Sequence, residues 1–313
     1  MKIKDLKKLT DAQLSQIKTL EILDETVKKK DIEDLIALLP KMPALEMFTC
    51  KGKQLKGKLF TRLADQLSRC PSLSYLFLPN NQIDTKDLNY LGTILPKFKC
   101  LVAVELVGNK LKEPHQDQLQ ELIKNIKKTG TLVTFDVSGN SLNKTSLASI
   151  SNALNDNRMR GEQLIAAVKQ GNLSKTRSLL ANGAQVNTRL VISQGIISRL
   201  ESPLHIAAEY GDVRMVRFLL HRGAQLLPDG LGKSPLDRAQ KRLDNLSTKG
   251  DNPTLCMNLT NIVKLLSPEN LKEEQKNGES KFLRKQGMFA ERPAIALNKD
   301  NDKLPVEATV PTY

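Results

Sequence analysis

The sequence predicts a repeat solenoid in two parts, an α/β first part followed by an all-α second part. An apolar pattern recurs at 28-residue intervals through the first half, and its last copy follows after 31 residues. At Gly161 this period stops, and a different repeating unit begins. Hydrophobic residues make up 40% of the chain, yet aromatic residues only 4% and Trp is absent. That balance is typical of repeat cores filled by Leu, Ile, Val and Ala.

The first pattern is clearest between Leu73 and Ile83, which read LSYLFLPNNQI. Further copies begin at Leu45, Leu101 and Leu132, and a weaker one begins at Ile17. Apolar residues at positions one, four and six of each copy predict a short strand with positions four and six facing inward. Asn at position nine is expected to turn the chain and to bind backbone groups that the bend leaves unpaired. This residue is Asn81, Asn109 and Asn140 in three copies, and Lys53 and Glu25 replace it in the other two.

A helix is expected after each strand, and a short capping helix within residues 1–19. Thr10 and Asp11 can cap that first helix. Repeats of this length, with full helices, resemble the ribonuclease-inhibitor-like class of leucine-rich repeat over residues 15–157. The predicted helices are Lys30–Leu39, Lys58–Cys70, Thr85–Phe98, Glu113–Lys128 and Lys144–Leu154.

The second pattern is clearest in residues 202–225, which read SPLHIAAEYGDVRMVRFLLHRGAQ. This unit resembles an ankyrin repeat, with Ser202 to His205 in place of its TPLH turn. The resemblance implies that His205 is a structural residue that binds the backbone of a neighbouring turn. Other copies begin at Gly161 and Ser234, and the last is expected to carry about 14 inserted residues between its helices, near 243–256.

The predicted domains are residues 1–157, residues 158–267 and a mostly disordered polar tail, residues 268–313. The join at residues 155–160 is too short to be a free tether. We therefore expect the last helix of the first domain to lie close to the first helix of the second.

Signatures of catalysis are missing from the sequence: it has no phosphate-binding Gly-rich loop, no GxSxG and no HExxH. Its four cysteines form no CxxC and show no ligand spacing with the three histidines. The sequence therefore predicts a non-catalytic protein without a cofactor or a metal site. An enzyme with its site in the inserted stretch 241–258 is the alternative, and it predicts a buried cluster of polar groups there.

The concave face of the first domain is the main candidate binding surface. Alternation along each strand places positions three, five and seven outward. Tyr75 and Phe77 then lie side by side on one exposed strand with acidic groups around them, as in an interface hot spot. The alternative is that both rings cover a gap beside a neighbouring loop. The candidate partner-binding residues of this face are Tyr75, Phe77, Met47, Glu21, Glu105 and Asp136.

A long finger between the first two units of the second domain is the other candidate. Residues 190–200 have apolar arms around Gln194-Gly195, which predicts a β-hairpin. Its candidate partner-binding residues are Leu190, Ile192, Ile196 and Ile197. The hairpin could project from the body to meet a partner, or fold back onto the first domain and fill the junction.

The net charge of +14 leaves room for a basic nucleic-acid or membrane-surface binder. The excess of basic residues is +7 in residues 1–158, +7 in residues 159–267 and zero in the tail, without a dense basic run. Three carboxylates on the concave face have the wrong sign for phosphates, so nucleic acid is a less favoured partner.

Ankyrin repeats joined to divergent leucine-rich repeats, in a chain rich in Lys and Asn, resemble effectors that intracellular bacteria such as Legionella inject into host cells. That resemblance implies a protein-binding adaptor that acts in a host cytosol and is exported without a signal peptide. A eukaryotic cytosolic scaffold or inhibitor-like repeat protein is the alternative. Either way we expect a reducing, cytoplasmic location, no transmembrane segment and a protein partner. Neither the partner's identity nor the oligomeric state follows from the sequence.

Overall fold

The computed structural model describes residues 3–23, 28–52, 55–194, 197–247 and 252–271. In its first half, short parallel strands alternate with helices, and this part is called the sheet unit below. Its strands are β1 Thr19–Ile22, β2 Met47–Cys50, β3 Tyr75–Phe77, β4 Ala103–Glu105 and β5 Thr134–Asp136. Its helices are α1 Ile3–Leu6, α2 Asp11–Leu14, α3 Lys29–Leu38, α4 Gly57–Leu67, α5 Thr85–Ile94 and α6 Gln116–Thr129, with 3₁₀ turns at Leu39–Lys41 and Leu95–Lys97.

The five strands pair in chain order into one parallel sheet. Equivalent residues of successive repeats are direct partners, so that Met47, Tyr75 and Ala103 form one row across the sheet. The next residue of each of these strands points to the other side of the sheet. These residues, Phe48, Leu76 and Val104, are fully buried against the helices. The sheet therefore has one face covered by helices and one open face, and its register follows the repeat spacing of the sequence.

The predicted role of the turn asparagines is confirmed for all three copies. Asn81 Nδ2 donates to the Cys50 carbonyl of the preceding repeat over 2.8 Å. Asn109 and Asn140 make the same kind of bond to Leu78 and Leu106, each over 2.9 Å. Each side chain thus pairs backbone groups that the turn leaves without a partner in its own repeat. Lys53 and Glu25 lie outside the described residues.

The short capping helix predicted within residues 1–19, with Thr10 at its N-terminus, is present as α2. Thr10 caps it through a capping box with Gln13. A further one-turn helix that the sequence did not predict, α1, precedes it. Ile3, Leu6 and Leu14 are buried against the first repeat, so the pair closes that end of the core.

The second half, called the helical unit below, begins within one long helix and ends beyond residue 266. Its elements are α7 Lys144–Lys169, α8 Leu173–Ala181, β6 Leu190–Gln194, β7 Ile197–Glu201, α9 Pro203–Glu209, α10 Val213–His221, α11 Pro235–Ser247 and α12 Pro253–Leu266. The helices pack as successive pairs around a second apolar core. The predicted hairpin is present as the antiparallel pair β6–β7. From residue 272 onwards the predicted tail lies outside the described residues.

The two units share α7, whose 26 residues run through the predicted join at 155–160 without a break. Ile150 and Ala153 belong to the core of the sheet unit, whereas Leu164 and Val168 belong to the core of the helical unit. The last helix of one part and the first helix of the next are therefore the same element, rather than two neighbours as predicted.

The sequence predicts inserted residues between the helices of the third pair, near 243–256. In the structure α11 continues to Ser247 and α12 starts at Pro253, so most of these residues lengthen the two helices. The reason is the apolar spacing of Leu236, Ala239 and Leu243, which continues the packed side of α11 for two more turns.

His205 has the structural role that the resemblance implied. Its ring is fully buried, and its Nε2 lies 3.0 Å from the Lys233 carbonyl of the following turn. Its Nδ1 lies 2.8 Å from Ser202 Oγ. Burial lowers the pKa of this imidazole from 6.5 to about 4. The ring is thus held neutral between two units of the repeat.

Candidate interaction surface

The open face of the sheet is built from rows of equivalent residues, one from each strand. One row runs Thr19, Met47, Tyr75, Ala103, Thr134, and the next runs Glu21, Thr49, Phe77, Glu105, Asp136. Neighbouring strands in a sheet lie about 4.8 Å apart, so adjacent members of a row are within reach of one ligand. The strand register therefore places all six residues that the sequence nominated on one face, spread across the five strands from Glu21 to Asp136.

Tyr75 and Phe77 are the large apolar side chains at the middle of this face. Their ring centroids are 6.0 Å apart, and the ring planes meet at 49°. Both side chains are half-buried, and Met47 beside Tyr75 is half-buried as well. A rigid aromatic pair of this kind offers apolar contact area at little cost in side-chain entropy.

Carboxylates lie on both sides of the aromatic pair. Glu105 is the direct neighbour of Phe77, and Asp136 lies one strand further. Glu21 stands on the first strand, two strands from Phe77 on the other side. Asp136 Oδ1 accepts a hydrogen bond from the Ser138 amide over 2.9 Å, which fixes its orientation. The open face thus combines an apolar centre with negative charge at its two ends.

An arginine of the helical unit, Arg189, binds Ser74, the residue before Tyr75, and its charge acts on the Tyr75 phenol. Arg189 Nη1 donates to Ser74 Oγ over 2.8 Å, and its Nη2 donates to the Pro228 carbonyl. Burial raises the pKa of the Tyr75 phenol, while Arg189 acts in the opposite direction and Glu46 in the same direction. Arg189 is only 2% exposed, and burial lowers the pKa of its guanidinium. The helical unit therefore positions the strand that carries the aromatic pair.

Sequence reasoning missed Arg189 and Ser74. Arg189 is a single basic residue at the start of a finger, and nothing in the repeat patterns distinguishes it from a solvated arginine. Ser74 precedes the strand at a position that the apolar pattern leaves unassigned. A second contact of the same kind joins Cys100 Sγ of the sheet unit to Gln225 Oε1 over 2.9 Å. Both contacts depend on how the two units pack together, which local sequence does not specify.

The base of the hairpin folds back onto α7, which corrects the assignment of Leu190 as a partner-binding residue. Leu190 is 8% exposed and belongs to the core of the helical unit. A Cβ added at Gly161 of α7 would lie 3.5 Å from Leu190 Cδ1. Leu190 thus lies within van der Waals reach of α7 and is buried against it. Ile192 belongs to strand β6 and Ile197 to strand β7, whereas Ile196 lies outside the described residues.

The buried cysteines of the sheet unit are unreactive thiols. Burial raises the pKa of Cys50 and of Cys100 to about 12, and that of Cys70 to about 11. A thiol with such a pKa carries almost no thiolate at neutral pH and is a poor nucleophile. Within the described ranges, His, Cys, Asp and Glu form no group of three or more that could hold a metal ion.

Within the inserted stretch 241–258, the side chains of residues 241–246 and 252–258 are described, and no polar side chain among them is buried. No helix in the described ranges is both long enough and apolar enough to span a bilayer.

A family model described as ankyrin repeats, in three copies, matches residues 164–248. No curated protein matches the chain. One similar solved structure, titled leiomodin-1 actin-binding site 2, is 13% identical and has a TM-score of 0.42, with 54% of this chain and 92% of that chain covered. Another, a tropomodulin C-terminal domain from Caenorhabditis elegans, is 17% identical and has a TM-score of 0.41, with 51% and 95% covered.

At scores this low, the two solved structures carry no conclusion about this chain's partners. The family match covers α8, α9, α10 and α11 in full, together with the end of α7 and the hairpin. The chain therefore contains ankyrin repeats, and they follow an α/β unit with a parallel sheet.

Proposed function

We propose that this chain is a non-catalytic adaptor that binds a partner protein through the open face of its sheet unit. The main observation that supports this proposal is the aromatic pair Tyr75 and Phe77 at the middle of that face. Ankyrin repeats recognise proteins on extended surfaces without chemistry, which supports the same class of function for the helical unit. The proposal treats residues 1–157 as a leucine-rich repeat solenoid and residues 158–267 as the ankyrin domain.

The chemistry of the open face specifies what kind of segment it binds. An apolar side chain of the partner would pack against Tyr75 and Phe77, where apolar contact yields the most binding energy. Basic side chains on either side of that anchor would meet Glu21 at one end and Glu105 with Asp136 at the other. The expected ligand is therefore an extended segment with an apolar residue between lysines or arginines.

The test compares a double variant, Tyr75→Ala/Phe77→Ala, with the wild-type chain in affinity capture from eukaryotic cytosolic lysate. Thr19→Ala/Thr134→Ala is the matched control, because these exposed residues occupy the same row on the outermost strands. Circular dichroism verifies that each variant is folded. Captured proteins are identified by mass spectrometry and then tested singly, at moderate and at high salt.

A partner that the wild type and the control retain, and that the double variant binds at least about tenfold more weakly, supports the proposal. Equal binding by all three chains would place the site elsewhere and refute the role of the aromatic pair. Capture of RNA or lipid alone, lost at high salt, would favour the basic-binder alternative instead.

Two narrower parts of the proposal rest on resemblance alone. One is that the adaptor is a bacterial effector that binds host proteins, with a eukaryotic scaffold or inhibitor-like protein as the alternative. The other is a cytoplasmic location. Both stay predictions, and fusion to a translocation reporter, followed by fractionation of the host cell, tests them directly.

A further inference from the structure

The outer side of the helical unit is formed by α8, α10 and α12, the second helix of each pair. None of these three described helices contains an aspartate or a glutamate. All three carry exposed cationic side chains, so the surface they form is called the basic outer face below. Its exposed cations are Lys175, Arg177, Arg214, Arg217, Arg222 and Lys264.

Arginine is concentrated in this part of the chain. Residues 1–157 contain 22 lysines and two arginines, whereas residues 158–267 contain six lysines and ten arginines. A surface that needs only solubility or net charge can use either residue. Arginine differs because its planar guanidinium binds two oxygens of a carboxylate or a phosphate at once. Four of these ten arginines, Arg177, Arg214, Arg217 and Arg222, lie on the basic outer face beside only two lysines. That face is therefore suited to binding paired oxygens of an anion.

Phe218 holds two of these guanidiniums in place. The Arg177 guanidinium carbon lies 5.6 Å from the centre of its ring, and that of Arg222 lies 5.0 Å from the same point. The two groups are thus no more than about 11 Å apart, although they come from different helical pairs. Stacking on one ring restricts both side chains, which lowers the entropy that a ligand must remove on binding.

Among the described residues, no carboxylate forms a salt bridge within 4.0 Å of Arg177 or Arg222, and both side chains are exposed. Asp212, the acidic residue at the start of α10, is oriented by another contact, since its Oδ1 accepts from the Met215 amide over 2.9 Å. The N–H donors of the stacked guanidiniums therefore face solvent and are available to a ligand.

We propose that the basic outer face binds an acidic segment of a partner protein, with carboxylates paired to Arg177 and Arg222. The surface lies on the helical unit and is separate from the open face of the sheet. It has the opposite charge and selects a different ligand.

Two other polyanions fit the surface less well. Single-stranded nucleic acid gains much of its affinity from bases that stack on aromatic rings, and the Phe218 ring is occupied by two guanidiniums. An anionic membrane attracts lysine and arginine about equally, so it gives no reason for the preference for arginine. Paired carboxylates on a polypeptide account for both features.

The experiment measures binding of a fluorescent polyglutamate peptide of about ten residues to the full chain by anisotropy. The principal variant is Arg177→Gln/Arg222→Gln. Arg177→Lys/Arg222→Lys keeps the charge and removes the planar fork. Phe218→Leu keeps both arginines and releases them from the ring. Lys86→Gln/Lys144→Gln removes equal charge from exposed helix positions at other sites.

We expect the Gln double variant to weaken peptide binding by about tenfold or more, and the Lys double variant and Phe218→Leu by a smaller factor of about three to five. The Lys86/Lys144 control should bind as the wild type does. Absence of peptide binding by the wild type overturns the proposal. The proposal is also overturned if the Lys double variant binds the peptide as tightly as the wild type does. Attraction to positive charge alone would then explain the affinity.

Two parallel measurements distinguish the other polyanions. Vesicles with about one-third phosphatidylserine and a polyuridine RNA are offered to the same chains. Preference of the wild type for either one over the peptide refutes the acidic-segment assignment. Preference for the peptide, lost in the Gln double variant, supports it.

Discussion

Asn109 shows how a single side chain joins two repeats of the sheet unit. Its Nδ2 donates to the carbonyls of Leu78 and Leu106 over 2.9 Å and 2.8 Å. Its Oδ1 accepts from the amide of Ile83 over 3.1 Å. Two of these three partners belong to the preceding repeat, so the side chain acts as a bridge between neighbouring turns.

Replacing Asn109 by alanine is expected to lower the free energy of unfolding by about 2 to 4 kcal/mol, because the Leu78 carbonyl and the Ile83 amide lose their partners. Urea unfolding followed by circular dichroism measures the loss. Asn152→Ala is the control, since Asn152 is exposed on α7 and its replacement should change stability by less than about 0.5 kcal/mol. Equal losses in both variants would contradict the bridging role.

His205 makes stability depend on pH in a defined window. Its pKa is about 4 in the folded chain, whereas a solvated imidazole has a pKa near 6.5. Below pH 6.5 the unfolded chain therefore binds a proton that the folded chain does not. The free energy of unfolding should fall by roughly 3 kcal/mol between pH 6.5 and pH 4. Above pH 6.5 the ring is neutral in both states, so the full stabilisation from keeping it neutral is present there.

The check compares the pH dependence of unfolding for the wild type and for His205→Gln. The other histidines, His115 and His221, remain in both chains, so the difference between the two curves isolates His205. Asp229 nearby favours the protonated ring, while Arg189 and Arg238 oppose it, and all three are unchanged in the variant. Parallel curves across the window would show that His205 is not the titrating group.

At the scale of the element, Gly161 is a position where α7 packs tightly against the finger of the helical unit. A Cβ at this position would lie 2.5 Å from Thr188 Oγ1, which is closer than two such atoms can approach. Thr188 is itself fully buried. Glycine at 161 thus allows the helix to pack against the finger.

Gly161→Ala should destabilise the chain by about 1 to 3 kcal/mol, although alanine is the better helix former. The double variant Gly161→Ala/Thr188→Ala should recover part of this loss because it removes the Oγ1 atom. Thermal and urea unfolding of the two single variants and the double variant give the coupling energy. A stabilising effect of Gly161→Ala would mean that the finger is not packed as described.

The elements could be predicted from the sequence where a local pattern specifies them. The register of β2, β3 and β4 follows from leucines at a constant period, and the hairpin from its apolar arms around a turn. The continuity of α7 could not, because the change of period at Gly161 suggested a boundary. Physically, nothing between residues 155 and 160 breaks a helix, so one helix serves both repeats.

The candidate site could also be predicted only where a local pattern specifies it. Alternation along the strands gives the side of the sheet on which Tyr75 and Phe77 lie. It gives no information about the bond from Arg189 to Ser74 beside them, since that bond forms only when the two units pack together. The burial of Leu190 has the same origin: an apolar residue in a finger is a candidate for binding until its packing partner is known.

At the scale of the whole molecule, the shared helix should make the two units unfold together. Hydrogen exchange of α4 and α10, measured against urea concentration, is expected to give one common midpoint. Asn155→Pro breaks α7 between the two cores at a cost of about 3 kcal/mol and should separate the midpoints, whereas Asn155→Ala should not. Two midpoints in the wild type, or one in the proline variant, would contradict the coupling.

A helix of 26 residues is about 39 Å long, and α7 runs through both cores as one rigid element. Because it removes rotation at the join, the open face and the basic outer face keep a constant separation. A partner that carries both a basic-apolar segment and an acidic segment would then bind with avidity only if its own linker spans that separation. A linker that is too short would lose the gain completely, and a longer one would lower the effective concentration of the second segment gradually. The fixed placement of the two units on one shared helix would thereby select partners by the distance between their two motifs.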